Sequence, residues 1–103
     1  MPQNPRQNER ISISLTVVLD STSGKREARI SDVSMGGCFI DSIATVREGE
    51  TLSFNLSLST GLSDKLYGEI VYVYPGIGFG LRFTGLTVAQ RMLIKQIILE
   101  KSG

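Results

Sequence analysis

Apolar residues fall at every second position along most of this chain, and that spacing constrains the fold more than any other feature. Ile11, Ile13, Leu15, Val17 and Leu19 alternate with Ser12, Ser14, Thr16 and Val18. Period two with β-branched residues predicts a half-buried strand, one face to a core and one to water. Residues 20–24 form a turn cluster of Asp, Ser, Thr and Gly. Residues 26–33 read as a second strand, with Ala28 and Ile30 on one face. Gly36 and Gly37 interrupt it, and Cys38, Phe39 and Ile40 resume as a third. After the turn at residues 47–50, Leu52, Phe54, Leu56 and Leu58 alternate with serine and asparagine as a fourth. Residues 60–65 read as a loop. Residues 67–74 make a fifth strand, apolar on both faces from Ile70 to Tyr74, so its outer side requires a cover. Pro75 and Gly76 form a tight turn: proline presets φ at its first central position and glycine accepts positive φ at the next. On the sixth strand Ile77, Phe79, Leu81 and Phe83 are predicted to point inward. Gly78, Gly80 and Arg82 then share the other face, where small residues let another element pack closely.

The period changes once, near the end. Thr87 and Gln90 fit a capping box, and Leu93, Ile94, Ile97 and Ile98 form an apolar stripe at helical spacing. This helix is the expected cover for the fifth and sixth strands. Met92 and Leu99 widen the stripe and are read as core packing, with a homodimer contact as the alternative. A chain of 103 residues fits one domain and can bury a core without disulfides or metal. The expected fold is therefore mainly β: a six-stranded antiparallel barrel with a C-terminal α-helix, over residues 11–103. Residues 1–10 are expected to form a flexible arm, because Pro2 and Pro5 break regular structure and the rest is polar.

Composition removes several chemistries. There is no histidine, hence no usual general base and no Ser-His or Cys-His pair. Without clustered Cys or His, a zinc site is not expected. Cys38 is the single cysteine, which fits a reducing cytoplasm, and it reads as a small buried hydrophobe rather than a reactive thiol. No signal peptide is visible, and no apolar run approaches the ~20 residues that span a bilayer, so neither export nor membrane insertion is expected. The net charge of +1 gives no electrostatic footprint for a nucleic-acid polymer, which also disfavours a small RNA-binding barrel. Anion binding must come from local placement of arginine.

Two motifs supply such placement. Arg6 and Arg10 read R-x-x-x-R just before the first strand, and Asp32, Ser34 and Gly37 read D-x-S-x-x-G between the second and third. An arginine fork donates paired hydrogen bonds to phosphate oxygens or to guanine O6 and N7. An ionised carboxylate accepts from the N–H groups of a guanine edge, a hydroxyl donates to phosphate or base, and glycine lets backbone approach a ligand. The bland reading is that the arginines are solvated and that Asp32 and Ser34 cap their own turn.

The motifs in this order, the alternating strands, the terminal helix and the segment Gly78-Phe79-Gly80-Leu81-Arg82-Phe83 together resemble the PilZ domain family. The resemblance spans Arg6 to about Lys101, with both motifs intact. It implies a bacterial receptor for cyclic di-GMP, without catalysis or cofactor. It implies ligand contacts at Arg6, Arg10, Asp32, Ser34 and Gly37. It also implies a downstream protein partner controlling motility, exopolysaccharide synthesis or biofilm formation. The alternative is a PilZ-like adaptor that binds only proteins; retention of both motifs argues for the receptor.

Overall fold

The computed structural model describes residues 10–22 and 24–102. Among them are six strands and one helix: β1 (Ile11–Ser21), β2 (Gly24–Val33), β3 (Gly37–Asp41), β4 (Thr51–Ser57), β5 (Ser63–Tyr74), β6 (Gly78–Thr84) and α1 (Val88–Ser102). The strands close into an antiparallel barrel in the order β1-β2-β3-β6-β5-β4. Closure is made where Asp20 of β1 pairs with Ser53 of β4. The arm at residues 1–9, with Pro2, Pro5 and Arg6, lies outside the described residues.

Alternation fills the barrel as the sequence predicts. Val17, Leu19, Ile30, Ile40, Phe54, Leu56, Leu66, Phe79 and Leu81 are buried in one core. Strand ends differ in two places. Residues 63–65, read as loop, extend β5, because Ser63, Asp64 and Lys65 pair with Ser57, Leu56 and Asn55. Ile77, expected inward on β6, is exposed. It closes the turn by donating its N–H to the Tyr74 carbonyl and precedes the first paired residue, Gly78.

Two register slips matter more. Pairing of β2 with β3 slips by one residue between Ile30 and Asp32. Ile30 and Val33 are both 1% exposed although three apart, so the slip turns Asp32 outward where strict alternation would bury it. A second slip, between Ile70 and Tyr72 of β5, pairs Tyr72 with Gly80 on the outer face.

The helix begins as the sequence indicates. Gln90 N–H donates to Thr87 Oγ1 at 3.1 Å, and Thr87 N–H donates to Gln90 Oε1 at 2.8 Å. Leu93, Ile94 and Ile97 are buried in the core. Its main strand contacts are with β1 and β5, not with β5 and β6. Gln90 Nε2 also donates to the Lys65 carbonyl at the start of β5. The helix thus lies across the end of the barrel where β1 begins. The outer face of β5 and β6 is covered instead by side chains. A Cβ at Gly80 would meet the Tyr72 ring at 2.3 Å, and one at Gly78 the Phe39 ring at 2.7 Å. Phe39, Tyr72 and Tyr74 make one aromatic cluster there, with centroids 5.3 to 6.2 Å apart. Met92 and Leu99 do not join the core. They are 59% and 55% exposed and share the outward stripe with Val88, because residues a heptad apart stack on one side, here away from Ile97.

Candidate functional site

Arg10 immediately precedes β1, and Asp32 lies near the end of β2, where Ser12 pairs with it. The hairpin joining β1 and β2 therefore brings together two residues far apart in the chain. Arg10 Nε lies 3.1 Å from Asp32 Oδ1, and the two side chains are 37% and 31% exposed. Oδ1 itself is buried, and no donor among the described residues is directed at it well enough for a hydrogen bond. The guanidinium contributes charge to that oxygen rather than a well-aligned bond. A carboxylate in that condition retains capacity for a further donor. Asp32 and Arg10 also reach Cys38 electrostatically. Burial pushes that thiol up strongly, the Asp32 charge raises it further, and Arg10 opposes both. Cys38 is 0% exposed, a core residue under the site and not a nucleophile in it.

Ser34 and Gly37 bound the turn between β2 and β3. Ser34 N–H donates to the Gly37 carbonyl at 2.8 Å. The Ser34 hydroxyl accepts from the N–H groups of Gly36 and Gly37, each at 3.2 Å, and lies 3.3 Å from the Gly37 carbonyl. Ser34 is 2% exposed, so its side chain orders the turn from within. Gly37 is needed by packing: a Cβ there would lie 2.1 Å from the Leu81 carbonyl oxygen of β6. Gly36, by contrast, is exposed and has open space around it. Its carbonyl accepts from Phe83 N–H at 2.9 Å, tying the turn to β6.

The structure thus brings Arg10 and Asp32 into contact and places Ser34 and Gly37 in the adjoining turn. Arg6 lies outside the described residues. The site is an exposed surface at the end of the barrel that α1 crosses. A cavity of about 420 Å³ opens at the opposite end, lined in part by Leu19, Lys25, Val46, Leu52 and Phe79, and no member of the site reaches it. The chemistry and this cavity are therefore separate. The ion pair marks the site better than that cavity does, because an anionic ligand needs cations more than enclosure. Among the described residues, no group of three or more Cys, Asp or Glu is placed to hold a metal ion. No described helix is long and apolar enough to cross a membrane.

Sequence reasoning passed over one charged pair beside the site. Arg82 of β6 pairs with Gly37 on one side and with Glu69 of β5 on the other. Its Nη2 lies 2.6 Å from Glu69 Oε1. The available signal was the outward alternation of β6, which placed Arg82 on the surface without saying which strand lay beside it.

Comparison with known proteins bears on the family and the fold. The PilZ domain family model matches residues 4–100. No curated protein matches the chain significantly. Among solved structures, the PilZ domain of CeSA from a cellulose-synthesizing bacterium is 18% identical, with a TM-score of 0.70 over 90% of this chain and 97% of that one. The Borreliella burgdorferi PlzA protein in complex with c-di-GMP is 22% identical, with a TM-score of 0.67 over 89% of this chain and 40% of that one. The Bacillus subtilis inhibitor of motility, MotI/DgrA, is 13% identical, with a TM-score of 0.76 over 95% of this chain and 51% of that one. At these identities the likeness is one of fold, and this chain spans about half or less of the latter two proteins.

Proposed function

Because the chain belongs to the PilZ domain family, we propose that it is a receptor for cyclic di-GMP that relays the second messenger to a partner protein. The observation that carries this reading is the ion pair between Arg10 and Asp32, which joins the two motifs at one surface. The proposed site comprises Arg6, Arg10, Asp32, Ser34 and Gly37. Arg6 and Arg10 clamp phosphate or guanine, since a guanidinium fork suits both. Asp32 takes N–H donors from a guanine edge through the carboxylate capacity left beside Arg10. Ser34 and Gly37 hold the turn that the ligand rests against. No step of catalysis is assigned: the chain has no histidine, and the role is binding. The messenger is cytoplasmic, and so is the proposed place of action. Motility, exopolysaccharide synthesis and biofilm formation are the outputs to test.

The turn itself favours a second reading. Its serine is buried and its glycine is demanded by Leu81, so D-x-S-x-x-G also makes sense as a fold element of a protein-binding adaptor. Isothermal titration with cyclic di-GMP, with GTP as control, separates the two. The receptor reading expects saturable heat with cyclic di-GMP alone. It also expects Arg10→Ala to lose at least about 1.5 kcal/mol of binding free energy, the scale of a charge-assisted bond. A folded wild-type protein giving no heat would leave the adaptor.

A further inference from the structure

Cyclic di-GMP carries two phosphates and two guanines, more than one arginine clamp can engage. The sheet register offers another cation. Gly37 of β3 pairs with Arg82 of β6, and the next outward position of β3, Phe39, pairs with Asp32 of β2. Paired residues point to the same side of a sheet, so Asp32, Phe39 and Arg82 share the outer face. One strand separates β2 from β6, and Phe39 and Gly37 are two residues apart along it, so Asp32 and Arg82 stand roughly 12 Å apart, two strand spacings across and two residues along. On the intervening strand Phe39 stands beside Asp32, whereas Gly37, beside Arg82, projects no side chain. The Arg10–Asp32 pair and Arg82 therefore lie on one outer face on either side of β3, with the bare main chain of Gly37 beside Arg82. Arg82 is 59% exposed, and its described anionic partner is Glu69, 34% exposed.

We propose that Arg82 is a further ligand-binding residue that takes a phosphate of the cyclic dinucleotide, with Glu69 as the internal anion the phosphate displaces. The assignment rests on the receptor reading above. An exposed carboxylate–guanidinium pair is worth little in water, so exchanging Glu69 for phosphate costs little. The released Glu69 remains at the surface and hydrates. Glu69 thus lowers affinity by occupying the cation, and its removal and that of Arg82 act in opposite directions.

The test is isothermal titration of the full chain with cyclic di-GMP for wild type, Arg82→Gln, Glu69→Gln and the double variant. Arg82→Gln is expected to weaken binding about tenfold, the loss of one charge-assisted contact. Glu69→Gln is expected to tighten it about threefold, the scale of an exposed pair. The Glu69→Gln gain is expected to vanish in the Arg82→Gln background, because the carboxylate acts through that arginine. Arg82 is exposed and Glu69 half-buried, and unchanged unfolding midpoints without ligand check that each variant folds. Wild-type affinity in Arg82→Gln, while Arg10→Ala loses affinity, overturns the assignment of Arg82 alone. A Glu69→Gln gain that survives without Arg82 reveals a general field effect and also overturns it. No binding by the wild type overturns the receptor reading and this inference with it.

Discussion

A methyl group at Gly37 has nowhere to go: the Leu81 carbonyl stands 2.1 Å from where it would sit, and a backbone atom cannot swing aside. Gly36, one residue earlier, has nothing within 4 Å and no positive φ. The two adjacent glycines therefore answer differently to the same change. Gly37→Ala should destabilise the fold by about 2 kcal/mol or more, as overpacking against rigid neighbours does. Gly36→Ala should stay within about 0.5 kcal/mol of wild type, as exposed substitutions do. Urea unfolding midpoints measure both. Equal effects at the two positions would show that β3 and β6 do not approach as closely as described. The contrast also bears on motif reading, since a glycine that looks like a ligand contact in sequence is fixed here by a neighbouring strand.

At the scale of elements, β2 and β3 are tied by a charged pair at the far end from the site. Arg29 Nη2 and Nε donate to Asp41 Oδ2 at 2.6 and 3.0 Å. Those hydrogen bonds hold the Asp41 carboxyl below its ordinary value of 3.8. A carboxyl lowered by folding adds stability above its unfolded value, and that stability is lost as pH falls through the folded one. Asp41→Asn should therefore cost a little at pH 7 and nothing at the acid extreme. Unfolding midpoints measured from pH 7 down to pH 2 should converge for the two proteins; a constant gap would sink the pairing argument. The elements were largely legible in sequence, because period two and the capping box are local signals that the tertiary fold did not overrule. What escaped were the places where neighbours decide. The slip after Ile30 that turns Asp32 outward depends on β3. The placement of α1 against β1 depends on closure of the ring. Met92 and Leu99 read as core packing or a dimer contact in sequence, because apolar identity alone does not say which side of a helix meets the barrel. The site was legible as residue types in order, but contact between Arg10 and Asp32 required the hairpin, and Arg82 required the register of three strands.

For the whole molecule, the ring has one short join among the described residues. β2, β3, β6 and β5 are paired with their neighbours along several residues, whereas β1 and β4 are paired in register at Asp20 and Ser53. A cylinder of this kind behaves like a cuff with a single fastening. Main-chain amides are released to solvent in cooperative groups, and the group with fewest interlocking bonds opens at the lowest free energy. Deuterium uptake followed by mass spectrometry should therefore be earliest, within the strands, along the β1–β4 join, and latest in β3 and β6. Uniform uptake around the ring would contradict it. Asp20 stands at the far end of β1 from Arg10, so a ligand gripping Arg10 and Asp32 would lace the open end of the first hairpin and leave the join itself untouched. On the receptor reading, ligand is expected to slow opening of β1 from β2, a change in how often that hairpin parts rather than in the resting shape of the barrel.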